Sequence, residues 1–395
     1  MFIRGMRGNM KRSSFVNTRR ALTASVAVAV GVMSASALGA SATAADDAAA
    51  AVIKNRSIGY VLADRRWSVL QTAEGKTECP NGFNLGPREQ FKLLFPEDGT
   101  KRTMMETVLA REGEVWHPSL IAEPYPFYEA TGALAIGMDL DGKTDSNDFT
   151  SPDGEKGVDN QLYRAIGCIS NYRGPEGTIY HFENKFMQQF SYNRIMIELT
   201  NVDSLTNDDD VTVTTYRGLE DLLNDSTGEP TAGGSQRVDQ RWGKIFSQTF
   251  PGSIKNGILT TGPADFTFPW TGQPAGNTPL QPIRDMRFRL KLAPDGAEGL
   301  LGGYVDIKTF YTNLNENWST HHQSYGQESS PSLYRALHRV ADAHPDPVTG
   351  ANTAVSASIS VKFKQVFIVH SPGVAPGQLK PVAETNADIR VTRER

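Results

Sequence analysis

The chain has 395 residues, 39% of them hydrophobic, with 40 Lys and Arg against 44 Asp and Glu for a net charge of −4. About 350 residues beyond a leader suffice for one large core or two smaller ones. The basic residues are uneven: six lie in the first twenty positions, so the remainder carries 34 basic and 44 acidic side chains and a net charge of −10. An acidic surface repels phosphate backbones, so no nucleic-acid partner is expected.

Arg4, Arg7, Lys11, Arg12, Arg19 and Arg20 precede a small and apolar stretch from Ala21 to Ala40. That order is the n-region and h-region of a signal peptide, and Ala42-Thr43-Ala44 offers the small side chains that a cleavage peptidase needs. Residues 1–44 are therefore expected to be a leader, with the mature chain starting near Ala45 and working in the periplasm or outside the cell. Ser, Thr and Gly dilute the apolar stretch below what a spanning helix requires. Arg19-Arg20 partly resembles a twin-arginine signal, but Ala21-Leu22-Thr23 departs from that pattern, so two export routes remain. No second apolar run is long enough to span a bilayer.

In chain order, Ile58 to Gln71 reads as a strand or strand pair, and Cys79-Pro80-Asn81-Gly82 as a turn. Asn160 to Ile169 places Leu162, Ala165, Ile166 and Ile169 at helical spacing. Tyr192–Thr200 and Val211–Tyr216 alternate around an acidic turn at Asp208-Asp209-Asp210 and read as an antiparallel hairpin. The Gly, Pro, Thr and Ser of Ser226–Gln236 mark a domain boundary, giving β-rich domains at 45–230 and 231–395 or one unit spanning both. Gly262–Pro282 reads as a long surface loop.

Met286, Phe288, Leu290 and Leu292 alternate with Arg287, Arg289 and Lys291, the pattern of a sheet with one wet face. Ser330-Pro331 opens a second short helix through Leu333, Leu337 and Val340, ended before Pro345. Its Ser332–Leu337 hexapeptide echoes Gln161–Ile166. Val355–Val369 is a long β segment, expected to break near Lys364-Gln365. Frequent turns and no β-α-β rhythm predict a mainly β fold: an antiparallel β-sandwich assembly with two short helices. The two cysteines, Cys79 and Cys168, are expected to form one disulfide in an oxidising compartment.

The motif with most chemistry runs Asp139-Leu-Asp141-Gly142-Lys-Thr-Asp145-Ser-Asn147-Asp148, then Asp153-Gly154-Glu155-Lys-Gly157-Val-Asp159. Calcium takes six to eight oxygen ligands, and closely spaced Asp and Asn on a Gly-bent loop supply them. Asp139, Asp141, Asp145, Asn147, Asp148, Asp153 and Asp159 are the candidate ligands for Ca2+. The pattern resembles the Asp-x-Asp-Gly loops of thrombospondin type 3 repeats and dockerins, although Lys143 stands where a third acidic ligand is expected. The wider run from Asp153 to Arg164, with Tyr334–Leu337 and Asp346–Thr353, resembles a family of uncharacterised exported bacterial proteins, a likeness that brings no activity with it.

Other chemistry has weaker signatures. His321-His322 are adjacent, and His338 with His344 lacks the i, i+4 pairing of a helical metal site. There is no Gly-x-Ser-x-Gly elbow or phosphate loop, and Gly299–Gly303 lacks the dinucleotide spacing. Glu183, Glu198 and Asp285 lie beside aromatic or apolar residues as candidate acids, and Trp242, Trp270 and Trp318 as candidate sugar-stacking rings. These features point to a binding or structural module for a glycan or protein partner, held by calcium. The alternative is a calcium-assisted extracytoplasmic hydrolase acting on a polysaccharide or ester.

Overall fold

The structure is a computed structural model that describes residues 52–84, 110–111, 114–115, 127–173, 184–185, 187–188, 194–269, 280–316 and 330–370. The expected leader at 1–44 lies outside the described residues, as do Glu183, Trp270, Trp318, His321 and His322. Its strands begin with β1 (Ser57–Trp67), β2 (Ala110–Arg111), β3 (Glu114–Val115), β4 (Phe149–Thr150) and β5 (Lys156–Val158). They continue with β6 (Ile195–Thr200), β7 (Asp208–Arg217), β8 (Gly234–Arg237), β9 (Thr249–Lys255) and β10 (Ile258–Thr261). The last are β11 (Ala264–Pro269), β12 (Leu280–Ala293), β13 (Gly296–Asp306), β14 (Ala343–Pro345) and β15 (Asn352–Val369). Three α-helices are described, α1 (Gln161–Ile166), α2 (Ile307–Glu316) and α3 (Ser330–Arg339), beside short 3-10 turns at Ser170–Tyr172 and Gln240–Trp242.

Eight strands, in the order β1, β6, β7, β9, β10, β12, β13, β15, pair antiparallel and close on themselves where β15 returns to β1. The mainly β expectation holds, but the sandwich is replaced by a closed barrel. Alternation reports that one face of each strand is buried and is the same in either architecture. The difference lies in the pairing of Gly59 with Val366 and Trp67 with Ile359, which hydropathy does not encode. Strands from both sides of residue 230 share this barrel.

The buried row runs through Tyr60 and Leu62 on β1, Ile197 and Leu199 on β6, Val211 and Val213 on β7, Phe288 and Leu290 on β12, and Val361 and Phe363 on β15. Phe250 and Phe288 meet edge to face with ring centroids 5.2 Å apart. An eight-stranded barrel is just wide enough for such side chains to fill it, and each fully buried one contributes about 1.5–3 kcal/mol. β9 and β10 join through Asn256-Gly257, both at positive φ (52° and 78°), the conformation a two-residue hairpin needs.

Several expected boundaries shift. β15 is continuous through Lys364-Gln365, because its backbone stays paired to β13 and then to β1. Asp208–Asp210 belong to β7, so the hairpin turns at 201–207 instead. β11 occupies part of the expected loop at 262–282. α2 is an additional helix, opened by Asp306, whose Oδ1 accepts from the Thr309 backbone N–H at 2.8 Å. α1 ends at Ile166, before Cys168, while α1 and α3, which carry the echoing hexapeptides, pack together.

Cys79 and Cys168 form the expected disulfide, with Cα atoms 5.7 Å apart. Beside it Glu78 is buried, accepts from Thr72 N and Oγ1 at 3.0 and 2.8 Å and pairs with Arg173. Among the described residues, no helix is long and apolar enough to cross a membrane.

Candidate cation site

The Asp- and Gly-rich segment lies against the outer face of β12, β13 and β15. Its first arm alternates: Met138 and Leu140 are buried while Asp139 and Asp141 turn the other way. The buried pair packs on Gly302 of β13, where a Cβ would come within 3.0 Å of Met138 Cγ and Sδ and of Leu140 Cδ2. The second arm, β5 and Asp159, runs alongside, with Asp159 N donating to Met138 O at 3.0 Å. A Cβ on Gly137 would lie 2.7 Å from Val158 Cγ1, so the arms approach closely only because residue 137 has no side chain. Arg289 fastens the segment to β12, donating to Gly137 O at 2.7 Å and to Glu155 Oε1 and Oε2 at 2.9 and 2.6 Å. The arginines expected to face water thus lie on the outer face but beneath this segment.

The arrangement brings three of the seven candidate ligands together. Oxygen atoms of Asp139, Asp141 and Asp159 all lie within 4.8 Å of one another. An ion with 2.3–2.6 Å bonds to oxygen can bridge that span. Asp159 is 7% exposed and its Oδ2 accepts from Leu140 N at 2.6 Å. Asp139 Oδ1 accepts from Gly142 N at 2.6 Å, which bends the loop at a glycine of φ 77°. Asp141 Oδ1 accepts from Lys143 N at 2.9 Å, and its Oδ2 lies 3.0 Å from Lys143 Nζ.

Electrostatics follow this crowding. Burial pushes the Asp159 carboxyl up to about 6 against the pull of the Leu140 N–H, helped by the charges of Asp141, Asp148 and Asp342. Partial burial also opposes ionisation of Asp141, but the Lys143 ammonium and backbone N–H, with Arg287, hold it below the usual carboxylate range. Tyr304 on β13 is raised by burial and by Asp159, Asp342 and Asp141, which places its hydroxyl in the same field. Asp342 is raised by desolvation of its carboxyl even though the residue as a whole is exposed; the side chain accepts from Ser356 N at 2.7 Å and feels Asp148.

The remaining candidates, Asp145, Asn147, Asp148 and Asp153, lie outside this trio. The Asp148 carboxylate accepts the Asp145 N–H, and the Asn147 carbonyl accepts from Gln161 Nε2 at 2.7 Å and Arg164 Nη2 at 3.2 Å. Asp153 takes the Ser151 hydroxyl within the turn between β4 and β5. Asp342 and Tyr304 escape the sequence reading, since only the tertiary fold brings residues 304 and 342 beside 139–159.

Of the other singled-out residues, Trp242 is 3% exposed and tilts against Phe246 with Arg217 over its face at 4.4 Å, so it packs rather than presenting a ring to a sugar. Glu198 Oε2 lies 2.8 Å from His370 Nε2, and Asp285 Oδ2 lies 3.3 Å from His344 Nε2. His338 is exposed, its ring 4.2 Å from that of Tyr334. No family model, no curated protein and no solved structure matches this chain.

Proposed function

We propose that the chain is an exported calcium-binding protein in which the ion fastens the Asp- and Gly-rich segment to the barrel and so fixes a surface for a glycan or protein partner. The observation that carries this reading is the convergence of Asp139, Asp141 and Asp159 within 4.8 Å. Three carboxylates crowded at that distance repel one another, and the cations facing them, Lys143 and Arg287, carry only two charges. A hard divalent ion offsets the repulsion and uses the same oxygen atoms, with carbonyls or water completing its shell. The leader read in residues 1–44 supports a periplasmic or secreted setting, where free calcium is abundant enough for a modest site.

Calorimetric titration of the chelator-treated protein with calcium tests the reading. One ion per chain is expected, with binding lost in Asp141→Ala. Absence of binding heat, together with an identical melting temperature in calcium and in chelator, would refute it.

A further inference from the structure

The seam that closes the barrel opens at one end. β1 and β15 pair from Trp67 with Ile359 to Gly59 with Val366. Beyond that point β15 runs on beside β8 as far as Val369, while β1 keeps its pairing to β6 back to Ser57. The chain before Ser57 folds back on itself, with Lys54 and Ser57 exchanging two backbone hydrogen bonds at 2.9 Å. Asn55 and Arg56 make the turn between them at φ 52° and 59°, the backbone of a two-residue hairpin turn. Gly59 stands where the strands part. A Cβ there would lie 2.6 Å from Ile368 Cγ1, so Ile368 reaches across the opening only because residue 59 has no side chain.

The strands part around a cavity of about 250 Å3, room for on the order of eight waters at ~30 Å3 each. Val52, Ile58, Val366, Phe367 and Ile368 give it apolar walls, and Glu198 of β6 brings a carboxylate to it. The Glu198 side chain is 14% exposed. His370 Nε2 donates to its Oε2 at 2.8 Å, and the ring of Tyr216 stands edge-on to that imidazole with centroids 5.2 Å apart. Burial and the Glu198 charge raise the Tyr216 hydroxyl above its ordinary range, as a phenol beside that carboxylate requires. A carboxylate has about four lone-pair sites, so the bond from His370 leaves acceptor capacity for a ligand. Lys54 also borders the cavity, but it is exposed. A charge in water acts more weakly than one set in a part-buried wall.

We propose that this seam cavity binds a primary alkylammonium ion, its ammonium on the Glu198 carboxylate and its hydrocarbon chain along Phe367 and Ile368. An ammonium has three N–H donors and no acceptor, which suits a carboxylate with open lone pairs. The apolar walls take the chain, as in ligand sites where a few polar groups fix orientation within a largely apolar lining. An anion would meet the Glu198 charge at close range, and a neutral alcohol of the same length would forgo the charge-assisted bond. The inference does not rest on the cation reading.

The test is calorimetric titration of the full chain with n-hexylammonium chloride and, beside it, with 1-hexanol, each in calcium and in chelator. Saturable binding of the amine, about one per chain and about tenfold tighter than the alcohol, is expected in both conditions. Glu198→Gln keeps the shape of the side chain and should bring the amine down to the affinity of the alcohol. Should that variant not melt cooperatively, Phe367→Ala, at an exposed position, takes its place with a loss of about threefold expected. No saturable heat up to about 10 mM amine, equal affinity for amine and alcohol, or an unchanged affinity in the folded variant would each overturn the proposal. Amine binding seen only in chelator would place the amine at the Asp139–Asp159 loop and overturn it too. Calcium binding is read by its own titration, so either reading can fail alone.

Discussion

Asp159→Asn separates charge from shape at the cation site. The carboxyl is raised from 3.8 to about 6 in the folded chain, so between those pH values the native state holds a proton that the unfolded chain has released. Stability from this group is therefore present below pH ~4, falls as pH rises through ~6, and stays lost above that. At about 1.4 kcal/mol per unit, the penalty at pH 7.5 is on the order of 3 kcal/mol. The compact unit spans Ala45–Arg395, and ~2 cal/mol/K of unfolding entropy per residue turns that penalty into about 4 °C of melting temperature. Asparagine is neutral at every pH and keeps an oxygen for the Leu140 N–H. In chelator at pH 7.5 the variant should melt about 4 °C above wild type, and the gap should close near pH 4. In calcium at a thousandfold excess over Kd the order should reverse, because the ligand stabilises only the protein that binds it, by about 4.1 kcal/mol, which exceeds that penalty. Scanning calorimetry across pH 4–8 measures both effects. A variant less stable than wild type in chelator at pH 7.5, or one that gains as much from calcium, would refute the reasoning.

Lys143→Met removes the ammonium that lies 3.0 Å from Asp141 Oδ2, so calcium no longer competes with it; titration should show affinity rising severalfold, and an unchanged Kd would count against the site. Replacing Cys79 and Cys168 by Ser releases a loop with a sequence separation of 89, and denaturant unfolding should show a loss of about 2–5 kcal/mol. Gly299→Ala puts a Cβ 2.1 Å from Arg289 O at a φ of 155°, so β12 and β13 must separate locally; proteolysis should then cut near residues 289–299 in the variant only.

What could be read from the sequence followed the range of the interactions involved. The alternation at 286–292 marked a strand because burial on one side leaves a period of two in the chain itself. The closeness of Asp139, Asp141 and Asp159 was legible for a similar reason, since they stand within one local run of the chain. Asp342 and Tyr304 were not, because they reach that run only after β13 and the segment before β14 have docked. The sandwich expectation failed at one pairing, β1 with β15, between residues about 300 apart. α2 was overlooked because Thr309, Thr312, Asn313 and Asn315 favour helix weakly, although Asp306 three positions before Thr309 was a readable cap. Asn256-Gly257, a strong local hairpin signal, was present in the sequence and passed over.

Closing the barrel through its first and last strands sets an order of events for the growing chain. β1 emerges early with two edges to satisfy, and one of them waits for residues 359–366. β13 waits for the same strand along nearly its whole length. The final 18-residue strand therefore completes the open edges of β1 and β13 and pairs with β8 and β14 as well, and folding that depends on such distant contacts is slow. Until it arrives, the growing chain presents unpaired strand edges to its neighbours, a known route to aggregation. A stop codon just before Asn352 would remove only the last 44 of 395 residues and yet leave an open sheet with no barrel.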